Sequence, residues 1–406
     1  MALLFMDGFD AMDTAAYENG GGGNPLKYYF DSYIPFNQCS VAGGRFGGQC
    51  LFEFNTGFAQ ANFSRRVSGD PTMCAGFALQ LSGGLAGNNP LFFSMATSTL
   101  ATEVVGLAYE SATGKLEIWR NGNGINSNKG TLVKKTDVVL PTATWTYLEL
   151  FVVVAGASSV LQVWQDDTII ADFGPSGTDG TVNLGSGTID YVSFRWEAFG
   201  TAGYNIDDYY IVDGTGLHNN TRLGPCRVMS EPPIGDAFLE SFTRNTGSTD
   251  FGCVDEFASG VHGAPDYLVT YLAGTASCAD LFNVATMACV GLVLGVAVNA
   301  TFRGPPPASV ALLCQPIGAA GSTVTLASLS PPGNGTDWAC LQGISETNLA
   351  TGGNNWTDGD IGRAWWGAGL TAGDGKWTQL YIEKLVSLRA VKFDCGNLSS
   401  YAVSGG

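Results

Sequence analysis

Two runs of residues decide the fold class of this chain: Trp145-Thr-Tyr-Leu-Glu-Leu-Phe-Val-Val-Val154 and Val160-Leu-Gln-Val-Trp-Gln165. Both are rich in β-branched, aromatic and other apolar residues, and a short stretch of Ala, Gly and Ser separates them. The pair Asp166-Asp167 then forms a turn signal, and Thr168-Ile-Ile-Ala171 resumes the apolar pattern. Runs of this length and composition, bounded by turn residues, are typical of antiparallel strands joined by hairpins.

The same pattern recurs along the first half of the chain. Lys115-Leu-Glu-Ile-Trp-Arg120 alternates with period two and is followed by Asn121-Gly122, a hairpin turn signal. Further strand candidates are Thr188-Ile-Asp-Tyr-Val-Ser-Phe-Arg-Trp196 and Ile206-Asp-Asp-Tyr-Tyr-Ile-Val212. No stretch keeps the spacing of three and four that an amphipathic helix needs. Strands that recur about every ten residues, with turn signals between them, predict an all-β sandwich or barrel.

A change of composition divides the chain near Val228-Met-Ser-Glu-Pro-Pro-Ile-Gly235. Adjacent prolines do not fit inside a helix or a central strand. We therefore predict a first domain over residues 1–228, a linker over 229–236 and a second, smaller β-sandwich over 237–385. The remaining residues, 386–406, are predicted to be a C-terminal tail that contacts a neighbouring subunit or lies loose.

Charge and hydropathy restrict the partners. The chain has 406 residues, of which 45% are hydrophobic and 14% charged, and its net charge is −17. A field of this sign repels phosphate backbones and anionic lipid headgroups, so we expect no nucleic-acid partner. The longest apolar run, Ala288-Cys-Val-Gly-Leu-Val-Leu-Gly-Val-Ala-Val298, is too short to cross a membrane as a helix. We therefore expect no membrane partner either.

The ten cysteines leave two interpretations open. Free cysteine is often buried as a small apolar side chain, whereas a particle made in the cytosol and released outside the cell can form disulfides. There is no C-x-x-C motif and there are only two histidines in the sequence, so a zinc cluster is not expected. Cys39 and Cys50, which flank a glycine-rich turn, are the best candidates for a local bridge.

The sequence does not present a catalytic pattern. A retaining glycosidase needs two carboxylates about 5 Å apart, which on a strand means acids at alternating positions. Asp207 and Asp208 are adjacent and therefore point to opposite faces, and Glu149 is a single acid within an apolar strand. Neither G-x-S-x-G nor a P-loop occurs. We expect a non-enzymatic protein.

A series of short motifs also runs through the chain in a fixed order. They are Leu4-Phe-Met-Asp-Gly-Phe-Asp10, the strand run Lys115–Asn121, Asn205-Ile-Asp-Asp-Tyr-Tyr-Ile-Val-Asp-Gly-Thr-Gly216, Leu223-Gly-Pro-Cys-Arg-Val228 and Trp356-Thr-Asp-Gly-Asp-Ile-Gly-Arg-Ala-Trp-Trp-Gly-Ala-Gly369. Together they resemble the virion structural proteins of tailed bacteriophages, a family of minor tail, fibre, collar and head-decoration proteins. The resemblance extends to about Leu385. Pro225 replaces an acidic residue that is usual in the family, so a role for that acid does not carry over.

The resemblance implies a concanavalin-like (laminin-G-like) jelly roll for the first domain, in which the first strand, around Phe5–Phe9, pairs with the last, around Asp207–Val212. No cofactor is expected, with calcium as the one candidate, because laminin-G-like domains often bind it through loop acids and carbonyl groups. The acids that would supply the oxygen ligands are Asp7, Asp10, Asp207, Asp208 and Asp213. The alternative is that these acids cap turns and hold the edge of the sheet.

Three tryptophans, Trp119, Trp164 and Trp196, lie at strand positions that could face outward and stack on sugar rings. The alternative for them is packing in the core or between subunits. The leading hypothesis is a non-enzymatic structural component of the virion, made in the host cytoplasm, that contacts other virion proteins and copies of itself as a homo-oligomer. The alternative function is a lectin-like module that recognises host surface glycans.

Overall fold

The computed structural model is built almost entirely from antiparallel strands. It describes residues 2–9, 32–34, 39–47, 49–54, 61–82, 91–97, 102–122, 129–196, 203–219, 222–237, 239–245, 249–254, 272–286, 291–304, 308–316, 322–330, 339–349, 351 and 353–388. In the first half the strands are β1 (Leu3–Asp7), β2 (Ser32–Ile34), β3 (Cys39–Gly43), β4 (Gln49–Phe54), β5 (Ala61–Asp70), β6 (Thr72–Leu81), β7 (Leu91–Ala96), β8 (Glu103–Glu110), β9 (Lys115–Arg120), β10 (Thr131–Val139), β11 (Thr146–Val153), β12 (Val160–Gln165), β13 (Thr168–Phe173), β14 (Ile189–Trp196) and β15 (Gly203–Asp213). A short 3-10 helix spans Gly156–Ser158.

These strands form two sheets that face each other. Sheet A has the order β13-β12-β11-β6-β15-β4-β3, with β1 also paired to β15, and sheet B has the order β10-β9-β8-β7-β14-β5-β2. Alternate side chains of both sheets point into one core, as the period of two requires. At its centre, the ring of Phe77 lies 4.8 Å from that of Phe93 and 4.9 Å from that of Phe194.

The closure of sheet A confirms the pairing that the family resemblance implied. β1 runs antiparallel to β15, with Phe5 opposite Ile211, Met6 opposite Tyr210 and Asp7 opposite Tyr209. The first and last strands of the sandwich therefore lie side by side. This is the jelly-roll arrangement expected for the first domain.

The second half forms a smaller sandwich. Its strands are β16 (Cys226–Glu231), β17 (Pro233–Asp236), β18 (Thr243–Arg244), β19 (Leu272–Gly274), β20 (Ala279–Val284), β21 (Leu292–Arg303), β22 (Ser309–Gln315), β23 (Val324–Leu329), β24 (Ala339–Ser345), β25 (Trp365–Ala372) and β26 (Gly375–Ser387), with a 3-10 helix at Phe251–Cys253 and the helix α1 at Asp358–Arg363. Sheet C has the order β18-β19-β26-β21-β24, with β16 also paired to β26, and sheet D has the order β17-β20-β25-β22-β23. The predicted fold class, an all-β chain with a jelly-roll sandwich followed by a smaller one, is confirmed.

The residues predicted to be a linker, 229–236, lie in strands instead. β16 pairs with β26 of sheet C and β17 pairs with β20 of sheet D. Pro232 lies between the two strands, where no ladder hydrogen bond is required from it. The proline pair therefore marks a crossover from one sheet to the other, because proline ends one strand and can begin the next.

The C-terminal end of the structure is part of the second sandwich. β26 continues to Ser387, so the first two residues of the predicted tail, 386–406, belong to sheet C. Residues 389–406 lie outside the described residues. Within the described ranges, no helix has the length and apolar character needed to cross a membrane.

The four sheets stack in the order B, A, C, D. One core lies between sheets B and A, and another lies between sheets C and D. A third apolar cluster lies between A and C and contains Met6, Tyr147 and Tyr210 from the first sandwich and Ala297 and Leu385 from the second. The outer face of sheet A is therefore covered by the second sandwich.

Candidate functional site

The contact between sheets A and C, which we call the junction, contains buried carboxyl groups from both sandwiches. Its residues on sheet A form one cross-strand row, in which Trp164 lies opposite Glu149, Glu149 opposite Gly76, Gly76 opposite Tyr210 and Tyr210 opposite Met6. Because opposite residues share a face, this row points away from the first core and towards the second sandwich. A methyl group at position 76 would overlap the Tyr210 ring, so this row depends on the glycine.

Glu149 is the centre of the row and is 1% exposed. Tyr210 Oη donates a hydrogen bond to its Oε1 at 2.5 Å, and the Gly224 amide donates to the same oxygen at 2.7 Å. The Arg222 guanidinium forms an ion pair with its other oxygen. Burial raises the pKa of Glu149, while Arg222 and these hydrogen bonds act in the opposite direction. Both oxygens of the carboxylate are thus engaged by partners inside the protein.

Arg222 connects the row to its surroundings. Besides Glu149, its guanidinium pairs with Asp167, and its Cζ lies 3.8 Å from the centre of the Trp164 ring. A guanidinium stacked on an indole at this distance is a cation–π contact. One face of Trp164 is therefore occupied by Arg222, and the residue packs at the edge of the junction. This arrangement favours the packing alternative for Trp164 over sugar stacking.

Asp208 lies where the pairing of β15 is irregular. Its φ of +52° is in the left-handed region, which Asp tolerates better than most residues. The pairing of β15 with β6 shifts register between Asp207 and Tyr210, which re-aims the side chains there. Asp208 Oδ1 accepts a hydrogen bond from the Val228 amide at 2.9 Å, and its Oδ2 lies 3.2 Å from Arg45 Nη1. Burial raises the pKa of Asp208 to about 6, partly offset by Arg45.

The other predicted calcium ligands serve the backbone. Asp207 Oδ2 accepts from the Arg45 amide at 2.7 Å, Asp213 Oδ1 accepts from the Ala2 amide at 3.0 Å, and Asp7 Oδ1 accepts from the Phe9 amide at 2.6 Å. Asp10 lies outside the described residues. Among the residues that the structure describes, no group of three or more His, Cys, Asp or Glu side chains is placed to hold a metal ion. The hydrogen bonds of Asp7, Asp207 and Asp213 are those expected if these acids cap turns and hold the edge of the sheet.

Glu383 extends the polar set into the second sandwich and is 0% exposed. Its Oε1 accepts hydrogen bonds from the Gly8 amide at 3.0 Å and from Ser230 Oγ at 3.1 Å, and its Oε2 accepts from Asn299 Nδ2 at 3.0 Å. Burial raises the pKa of Glu383 well above its ordinary value, and the charge of Asp7 raises it further.

Side chains of the second sandwich also hold the backbone of β1. Gln342 donates from Nε2 to the Met6 carbonyl at 2.8 Å and accepts from the Met6 amide at 3.3 Å. The Leu3 amide donates to Glu346 Oε1 at 3.1 Å. Gly8 approaches β16 so closely that a Cβ there would lie 2.9 Å from the Val228 carbonyl oxygen. The strand that closes the first sandwich is therefore also the strand that docks the second.

The sequence did not predict that four residues of the junction belong to one site: Glu149, Arg222, Arg45 and Glu383. A charged residue within an apolar strand was the available signal for Glu149 and for Glu383, because an isolated carboxylate is expensive to bury without partners. Their partners are far away in sequence: Arg222 is 73 residues from Glu149, and Gly8 is 375 residues from Glu383. No local pattern indicates such a pairing.

The outer face of sheet B carries a second polar group, which includes Trp119. Trp119 is half-buried, its Nε1 donates to Glu117 Oε2 at 3.2 Å, and Lys129 Nζ lies 5.4 Å from the centre of its ring. Lys135 pairs with Glu110 and lies 3.9 Å from Glu117. Trp196 ends β14, and its side chain lies outside the described residues. Trp119 and Trp164 are therefore both half-buried with a cation beside the ring, but the cation is 5.4 Å from the ring centre of Trp119 and 3.8 Å from that of Trp164.

The predicted Cys39–Cys50 bridge does not fit the register of β3 and β4. Cys50 lies opposite Ala42, and Cys39 lies opposite Glu53. The two cysteines are thus offset by three positions, about 10 Å along the strand and on opposite faces, whereas a disulfide needs Cα atoms within about 7 Å. The Cys50 thiol instead donates to the Gly43 carbonyl at 3.3 Å. The predicted disulfide between Cys39 and Cys50 is therefore wrong.

Comparisons with known proteins are limited to fold similarity. No protein-family model and no curated protein matches the chain. Solved structures that are similar to it include the cellulose-induced protein Cip1 (16% identity, 54% of this chain and 99% of that one, TM-score 0.36). They also include the alginate lyase Aly36B (10%, 53% and 98%, TM-score 0.38) and the carbohydrate-binding module CBM66 from Bacillus subtilis (10%, 45% and 89%, TM-score 0.27). These values carry no argument about the function of this chain.

Proposed function

We propose that this protein is a non-enzymatic structural component of a tailed-phage particle, located in the tail, a fibre, the collar or the head decoration. It would act through contacts with other virion proteins and with copies of itself. The order of the sequence motifs, from Leu4–Asp10 to Trp356–Gly369, motivates the virion assignment. The observation that carries a structural role is the junction, where Glu149, Asp208 and Glu383 are each held by partners inside the protein.

A rigid connection between two sandwiches is useful in an assembly, because contacts at one end keep a fixed geometry relative to contacts at the other. Buried charges also require specific partners, so they favour one arrangement of the two sandwiches over others. Exposed large apolar side chains supply surface for contacts with neighbouring subunits. On the edge strand β10 these are Leu132, Val138 and Val139, which are 43%, 40% and 52% exposed.

The virion assignment is tested by mass spectrometry of purified particles of the phage that encodes the chain. We expect peptides from both sandwiches at a copy number that is a multiple of the symmetry of one particle substructure. Immunogold labelling with an antibody against residues 1–225 then locates the protein on the head, collar, tail or fibre. Its absence from purified particles, together with its presence in the infected-cell lysate, would contradict the proposal.

A second candidate function, binding of host surface glycans, is favoured by Trp119. Its half-buried ring lies beside a carboxylate and a lysine, Glu117 and Lys129, whose side chains are 5% and 19% exposed, on the face of sheet B that points away from the first core. A ring with polar neighbours can stack on a sugar while the neighbours bind its hydroxyl groups. A glycan array compares the native chain with Trp119→Ala, and Trp164→Ala serves as the matched control. Binding lost in the first variant alone would support this function, and no binding by the native chain would argue against it.

A further inference from the structure

Lys384 is more deeply buried than the lysines that form ion pairs in the first sandwich. Its side chain is 0% exposed, whereas those of Lys115, Lys129, Lys134 and Lys135 are 19% to 37% exposed. In β26 it lies between Met229 of β16 and Val296 of β21. Because Leu380 and Ile382 occupy the same face of the strand and belong to the second core, the lysine points into that core as well.

The side chain ends against a carboxyl group. Lys384 Nζ lies 2.5 Å from Oδ1 of Asp358, the first residue of α1. A capping box fixes the start of this helix, because Thr357 Oγ1 accepts from the Asp360 amide at 3.2 Å and Asp360 Oδ2 accepts from the Thr357 amide at 3.1 Å. The amine and the carboxyl group are therefore held together by a strand and a capped helix.

We propose that Lys384 and Asp358 condense to form an intramolecular isopeptide bond. The Nζ lone pair attacks Cγ of Asp358, a carboxyl oxygen takes the protons that the nitrogen loses, and this oxygen leaves as water. The ion pair, an ammonium and a carboxylate, thus becomes one amide and one water molecule. No oxidant, metal or activated donor is needed for this balance.

Three features of the site favour the condensation. The amine lies 2.5 Å from an oxygen that is bonded to Cγ, so the reacting carbon is at most one C–O bond farther away, close to the separation of about 3–3.5 Å that a near-attack arrangement requires. The surrounding core also makes a separated charge pair costly, and an amide removes both charges. Finally, the Lys384 side chain is 0% exposed and the Asp358 side chain is 27% exposed, so the amine is held away from water while the water molecule that leaves the carboxyl group has a path to solvent.

The bond would strengthen the strand on which both sandwiches depend. β26 pairs with β16, β19 and β21, and it carries Glu383, the residue next to Lys384, to the junction. The cross-link would join two residues, Asp358 and Lys384, that are 26 positions apart in the sequence. Closing such a segment restricts the unfolded chain in the way that a disulfide does. Since this segment contains no cysteine, the bond would supply there the resistance to denaturation and mechanical load that a disulfide cannot.

Intact-mass spectrometry of the denatured and reduced full chain tests the proposal. We expect the native chain to weigh one water less than its sequence, and a digest to contain one branched peptide with both Lys384 and Asp358. Asp358→Asn should form the same bond with loss of ammonia instead of water, and Lys384→Met should have its full sequence mass. Lys134→Met is the matched control, since Lys134 lies 2.6 Å from Asp179 but is 23% exposed where Lys384 is 0% exposed, and this variant should keep the water loss.

Two results would overturn the proposal. One is a native chain at its full sequence mass, with separate linear peptides for the two residues. The other is a water loss accompanied by chain cleavage on treatment with hydroxylamine, because hydroxylamine cleaves a cyclic imide at an Asp–Gly step such as Asp358-Gly359 and leaves an isopeptide bond intact. The native digest decides between these results even if Lys384→Met does not fold.

Discussion

The two outer faces of the first sandwich carry similar charged residues in different surroundings. On sheet A, the Glu149 and Arg222 side chains are 1% and 9% exposed, and the second sandwich covers them. On sheet B, the Glu110 and Lys135 side chains form the same kind of pair but are 13% and 37% exposed. An ion pair in water contributes little to stability, whereas a buried pair becomes indispensable once one partner is removed. The two ion pairs therefore differ in the burial of their side chains and not in their residue types, and only the buried pair is expected to hold the two sandwiches together.

The largest difference between the two faces is expected from removing one cation on each. Arg222→Met leaves Glu149 buried without its partner and removes the contact with Trp164, which should lower the free energy of unfolding by about 3–5 kcal/mol. Lys134→Met removes a partly exposed pair with Asp179 and should change it by less than about 1 kcal/mol. Urea titrations of both variants give these values. Similar losses in the two variants would mean that the buried ion pair at the junction stabilises the protein no more than the partly exposed pair does.

Packing at the junction gives the next effect. A Cβ at Gly8 would lie 2.9 Å from the Val228 carbonyl oxygen, whereas one at Gly43 would meet nothing within 4 Å. Gly8→Ala should therefore lower the free energy of unfolding by about 1–3 kcal/mol, and Gly43→Ala should leave it nearly unchanged. Thermal unfolding of the two variants makes the comparison. Equal stability would show that β1 and β16 can separate without cost.

The dependence of stability on pH should have opposite signs on the two faces. Asp208 has a pKa of about 6 in the folded protein against an ordinary value of 3.8, so the folded state binds this proton more tightly than the unfolded chain. Its contribution is present below the ordinary value and is lost as the pH rises through about 6. For Glu110 the pKa is lowered, mainly by the hydrogen bond from Lys135, so its contribution is fully present above the ordinary value and is lost as the pH falls through the lowered pKa of the folded protein.

Unfolding titrations at several pH values between about 3 and 7 measure this difference. Asp208→Asn should flatten the decline in stability that the native chain shows on raising the pH. Glu110→Gln should remove a small gain over the lower part of the range. A steeper decline in Asp208→Asn would mean that the pKa of Asp208 shifts in the opposite direction on folding.

The smallest effect is expected on the outer face of sheet B. Trp119→Phe keeps a ring there but removes the hydrogen bond from Nε1 to Glu117. The free energy of unfolding should fall by about 0.5–1.5 kcal/mol. The same urea titration measures it, and a loss as large as that of Arg222→Met would mean that this face is also a structural joint.

Much of the fold could be predicted from the sequence, because strands and turns are local patterns. The runs at Trp145–Val154 and Val160–Gln165 correspond to β11 and β12. The Pro232-Pro233 pair also marked a real break, but it was predicted to lie in a linker and instead separates two strands of one sandwich. The local sequence cannot distinguish a linker between domains from a break between two strands, since proline fits both places, where its missing backbone N–H is not needed for a strand hydrogen bond.

The site was much harder to predict than the fold. For the acids near the ends of the first sandwich, the sequence left calcium binding and turn capping open. In the structure Asp7, Asp207 and Asp213 accept hydrogen bonds from backbone amides, and the calcium site stays a prediction. The acids that define the junction, Glu149 and Glu383, acquire their partners only when the two sandwiches pack together. Their roles follow from contacts between distant parts of the chain, which neither spacing nor composition encodes.

Hydrogen exchange followed by mass spectrometry at increasing urea concentrations tests the central claim that the junction makes the two sandwiches one body. Peptides from β11 in the first sandwich and from β26 in the second report on the two halves separately. If the junction joins them, both sets lose protection at the same urea concentration, and Arg222→Met separates the two transitions. If the native chain loses protection in two well-separated steps, the sandwiches unfold independently and the junction does not join them.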